Sequence, residues 1–80
     1  MTKKNAISLC DLEKDQNALI VAIIAGHKSA KRLADLGLTP NTPIKILRKT
    51  IFCGPMEVQV RGMNLVLGKG VAAKVLVKKS

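Results

Sequence analysis

Eighty residues, 48% hydrophobic and 24% charged, make one small domain that buries only ~60% of the surface its unfolded chain exposes, which leaves little space for an enclosed substrate cavity. The longest apolar run, residues 18–25, falls far short of the ~20 residues of a membrane-spanning helix, and the basic N-terminus is followed by Cys10-Asp11-Leu12-Glu13 rather than by a signal-peptide core. Fourteen Lys and Arg against five Asp and Glu give a net charge of +9, a field that attracts an acidic partner.

Residues 1–6 read as a flexible tail and residues 7–80 as a single domain. Ser8, with Asp11 three residues on, suits the cap of one helical turn through Leu9 and Leu12. Residues 18–25 are rich in Ile and Val and end at Gly26, the pattern of a strand buried on more than one side. Residues 29–36 form the one clear helix, with Ser29 as its expected N-cap and Ala30, Leu33 and Ala34 on its apolar face. If Gly37 takes the left-handed position past its end, Leu33 and Leu38 become the apolar pair of a Schellman stop. Pro40 and Asn41 then suit the two central positions of a turn.

From Pro43 onward the pattern is β. Residues 44–48 alternate and break step at Ile46-Leu47, the mark of a bulge. Residues 56–61 alternate without error, with Met56, Val58 and Val60 inward. Gly62 turns the chain into a strand over 64–67, Gly68-Lys69-Gly70 reads as a tight turn, and 74–78 is the last strand. Five short strands with one interposed helix predict a mainly β fold closed as a small barrel, which removes exposed sheet edges.

The charge is uneven, since residues 1–40 are net +2 and residues 41–80 net +7. Nucleic acid, an anionic membrane face and an acidic protein surface would all respond to it. A base-stacking RNA platform is disfavoured, because Phe52 is the one aromatic residue. Catalysis is not expected: the one histidine, His27, reads as a solvated loop residue. Metal ligation has no local Cys-x-x-Cys or His-x-x-x-His spacing to support it. Without a secretion signal, Cys10 and Cys53 are expected as reduced thiols. Gly62 to Gly68-Lys69 fails as a phosphate loop, with five residues between the glycines and Gly70 in place of the hydroxyl residue. No catalytic, cofactor or metal residues are therefore assigned.

Residues 31–48, with their Arg32-Leu-x-x-Leu-Gly-Leu-x-Pro40 helix exit, run into a basic strand and then into Gly54-Pro-Met-Glu-Val-Gln-Val60 and Leu65-Val-Leu67. In order and spacing this resembles the ferrous iron transport protein A (FeoA) family over residues 8–78. Asn41 stands where that family commonly has Gly, and Gly68-Lys69-Gly70 where a basic residue normally follows the leucines. The resemblance implies an SH3-like barrel with a short helical insertion at about residues 29–36. It also implies a cytoplasmic accessory of ferrous iron uptake that docks on the GTP-binding part of the large ferrous iron permease, ferrous iron transport protein B, and meets the membrane only through that partner. The expected contact residues are Lys31 and Arg32 on the helix and Arg48, Arg61 and Lys69 on the strands and turns. No enzymatic activity, cofactor or small-molecule substrate is implied. The alternative readings are a nucleic-acid module of the same shape held by phosphate contacts, and an iron chaperone using His27 and the cysteines.

Overall fold

The computed structural model describes residues 6–50 and 53–79; residues 1–5 of the tail expected over 1–6, and Phe52, lie outside them. Six strands, β1 (Ile7–Ser8), β2 (Asn17–Ile23), β3 (Pro43–Lys49), β4 (Met56–Val60), β5 (Met63–Leu67) and β6 (Val75–Lys79), form one sheet in the order β1-β6-β2-β3-β4-β5, antiparallel throughout. The fold is mainly β and SH3-like, as the resemblance implies, with one strand more than expected; the sheet does not close but ends at β1 and β5, so the expected removal of exposed edges is not made. β1 is two residues long and pairs Ile7 with Val77 and Ser8 with Leu76, too short to leave an alternation in the sequence.

Alternation carries the core. Met56, Val58 and Val60 of β4 are all at most 2% exposed, and they share one core with Ile20, Ile44, Ile46, Val75 and Val77 of β2, β3 and β6. The break in alternation at Ile46-Leu47 is a register shift between Ile46 and Arg48, so both flanking residues keep their proper faces. A second shift between Ile20 and Ala22 in β2 lifts Val21 outward to 40% exposure, where burial on more than one side was expected.

The helix α1 spans His27–Asp35 and begins two residues before the predicted start. Gly26, in extended conformation and without a side-chain cap, takes the N-cap position in place of Ser29. His27 is thus the first helical residue and not a loop residue, and it is exposed. The exit follows the prediction. Gly37 has φ +96°, Leu38 N–H donates to Leu33 O at 3.0 Å and Gly37 N–H to Ala34 O at 2.9 Å, which is the Schellman pair of bonds. Leu33 and Leu38 are both buried. Asn41 takes φ +67° in the following turn and donates its N–H to Ile20 O at 2.7 Å, which fastens the turn to β2.

Residues 9–11 make a single 3₁₀ turn, Leu9–Asp11, whose Cys10 N–H donates to Ser8 Oγ at 3.1 Å, as the Ser8 cap requires. Leu9 and Leu12 are fully buried, so this turn closes one end of the core. Where a tight turn was expected after Leu67, the chain forms one helical turn, α2 (Lys69–Ala72), that buries Ala72 and carries the chain to β6.

The cysteines correct a further expectation. Cys10 and Cys53 are joined by a disulfide, with Cα atoms 5.1 Å apart, inside the usual 4.4–6.8 Å range of such bridges. The β3–β4 connection brings Cys53, at φ +55°, against the N-terminal turn. Lys49 secures the same junction, its ammonium donating to Cys10 O at 2.9 Å and Leu12 O at 2.7 Å.

Candidate docking surface

The helix exit and the β4–β5 turn meet at one point. Arg61 and Gly62 form the two-residue connection of that hairpin with φ +51° and +80°, and both signs are positive as a type I′ turn demands. The conformation directs Arg61 back over the end of α1. A Cβ placed on Gly37 would lie 3.2 Å from Arg61 Cδ and 3.4 Å from Val60 Cγ1, so the glycine serves both the left-handed backbone and the close approach. Arg61 Nη2 lies 3.4 Å from Thr42 Oγ1, a buried hydroxyl that shares a 2.8 Å hydrogen bond with Thr39 Oγ1. The Leu-Gly-Leu-x-Pro segment and the basic hairpin tip are therefore one structural unit.

Lys31 and Arg32 stand exposed side by side on α1, the element that ends at this unit. Lys31 and Asp35 do not pair. The one ion pair within 4.0 Å among the described residues joins Arg48 Nε to Glu57 Oε1 at 3.6 Å, with the Arg48 side chain 84% exposed. Arg48 sits on β3 opposite Glu57 of β4, whereas Arg61 lies beyond the other end of β4. The structure thus brings Arg61 to the helix exit and holds Arg48 apart at the far end of the hairpin. Lys69 opens α2, and its side chain lies outside the described set.

Among the described residues no group of three or more His, Cys, Asp or Glu is placed to hold a metal ion, and the disulfide occupies both thiols of the iron-chaperone reading. No helix among the described residues is long and apolar enough to cross a membrane. Two features of this surface and its support leave no mark in the sequence. The backbone edge of β5 carries no side-chain signature, and the anchoring role of Lys49 depends on a junction between segments 37 or more residues apart.

The FeoA domain model matches residues 7–79. The chain belongs to the FeoA domain family. A protein of Methanocaldococcus jannaschii carrying the provisional name Fe(2+) transport protein A is 26% identical over 66 residues, 82% of this chain and 78% of that one. The crystal structure of an iron uptake regulatory protein (FeoA) superposes with a TM-score of 0.84 at 31% identity, covering 94% of this chain and 99% of the other. The solution structure of the FeoA protein from Chlorobium tepidum gives 0.82 at 29% identity, over 91% and 70%. A manganese-dependent transcriptional repressor, at 18% identity and 42% of its length, shares the fold alone. Membership places this FeoA chain in ferrous iron transport, in a family of small accessory proteins.

Proposed function

We propose that this FeoA chain is a cytoplasmic, non-enzymatic regulator that docks on the GTP-binding part of the ferrous iron permease through its basic exterior. The observation that carries this reading is the charge: net +7 over residues 41–80, with Arg48 and Arg61 exposed and the one acid of that half, Glu57, already engaged by Arg48. Lys31 and Arg32 extend the basic surface beside the helix exit. These residues act as positioning charges for an acidic face, steering the encounter and fixing its orientation.

The test is co-purification with the permease at low and at moderate salt. Association that weakens as salt rises is the expected result, because exposed charges are screened within ~10 Å at 0.1 M. No association at either salt overturns the docking. A steeply salt-dependent shift of generic RNA or duplex DNA by the same protein would instead favour phosphate contacts.

A further inference from the structure

We infer that the outer edge of β5 is a strand-addition site that takes an extended, acid-flanked segment of a partner protein. β5 ends the sheet, and among the described elements its one extensive neighbour is β4. The other edge, β1, is two residues long. β5 has five residues, Met63-Asn64-Leu65-Val66-Leu67, with no charge and no proline, and the β4–β5 register runs without a shift. The usual protections of a free edge, lysine, proline or a bulge, are thus missing from it.

Register identifies the free groups. Val60 pairs with Met63 across the two-residue turn, and the closing pair of such a hairpin exchanges both backbone hydrogen bonds. Alternation then gives Leu65 with Val58 and Leu67 with Met56 as the other bonded pairs. Asn64 and Val66 therefore turn their N–H and C=O groups away from β4. Val66 is also 74% exposed and Met63 49% exposed, so unpaired backbone and apolar side chains coincide on one edge. An added strand would satisfy those four backbone groups and cover the apolar side chains, the logic of β-augmentation.

Charge selects the occupant. Arg61 stands two positions before β5 and Lys69 two positions after it, and Arg48 and Lys45 lie on β3 in register with β4 residues that pair with β5. Two copies joined antiparallel through β5 would bring Arg61 of one toward Lys69 of the other, with +9 on each chain. An incoming strand flanked by acids meets a chain of net +9 instead. Identification of the partner as the permease rests on the proposed docking; the edge itself does not.

The experiment titrates the ¹⁵N-labelled full chain with a capped Glu-Val-Thr-Val-Thr-Val-Glu peptide and with its counterpart bearing Lys at both ends, while co-purification with the permease is repeated with Val66→Pro and Val66→Glu. Shifts of the Asn64 and Val66 amides are expected on the acidic peptide, with the Lys-ended peptide at least roughly tenfold weaker. Val66→Pro deletes an outward N–H and leaves the β4 ladder intact, so it should weaken the acidic peptide roughly tenfold or more while the Val58 and Met56 amides keep their shifts. Val66→Glu, at an exposed position, keeps the fold and should also weaken it. No shift at Asn64 and Val66 with either peptide, or equal binding of the Lys-ended peptide, overturns the proposal. So does a concentration-dependent dimer abolished by Val66→Glu, which gives the edge to a second copy. Permease association unaffected by both variants leaves docking standing and removes this edge from it; peptide binding without permease association does the reverse.

Discussion

Reducing the Cys10–Cys53 bridge should lower stability steeply and leave the native structure in place. The bridge spans a sequence separation of 43 residues, and in the chain-entropy treatment a closed loop of that length is worth about 4 kcal/mol, an upper value because measured bridges often deliver less. For a domain of this size each kcal/mol moves the midpoint by roughly 4–8 °C, so the thermal transition should fall by about 15–30 °C on full reduction. Little of this loss comes from the folded side, since Leu9 and Leu12 remain fully buried and Lys49 still ties the turn to β3. The assay is thermal unfolding by circular dichroism with and without a phosphine reductant, beside the Cys10→Ser/Cys53→Ser variant. That variant should match the reduced protein and ignore the reductant. A reductant effect below about 5 °C, or a double variant as stable as the oxidised parent, would refute the reasoning.

Gly37→Ala forces a side chain to φ +96° and against Arg61 Cδ; a loss of roughly 1–3 kcal/mol in urea unfolding is expected. Leu38→Ala, at a fully buried position, should cost about 2–5 kcal/mol, while Leu36→Ala, at 39% exposure, should stay within about 1 kcal/mol, both by the same assay. Lys49→Met removes two hydrogen bonds from an ammonium to Cys10 O and Leu12 O; a loss of about 1–3 kcal/mol and faster amide exchange in residues 9–12 should follow.

What the sequence discloses depends on how local its physics is. The exit of α1 was readable because a Schellman stop is written within six residues, from Leu33 to Leu38. The β3 bulge and the β4 core face were readable because alternation is a property of neighbours, and Met56, Val58 and Val60 keep it. The start of α1 was misplaced because Gly26 caps without a side-chain bond, whereas Ser29 offers the more familiar cap type. β1 and the helical turn of α2 are held by tertiary pairing and burial of Ala72, and a four-residue segment with a glycine has no helical signature of its own. The bridge was the less favoured reading because reduced thiols were argued from the lack of a secretion signal, whereas the folded β3–β4 connection brings Cys53 to Cys10. At the surface, the basic residues were legible as charges, but their grouping was not: Arg61 belongs with Gly37 and Thr42, and Arg48 with Glu57.

In the proposed docking, the exterior is the working part of this FeoA chain. Titrating the purified GTP-binding domain of the permease into the ¹⁵N-labelled chain tests it most directly, with amide shifts recorded at low and moderate salt. Shifts confined to surface positions around α1, the Arg61 turn and β5, fading as salt is raised, are predicted. A domain that leaves the spectrum unchanged at both salts would contradict the account.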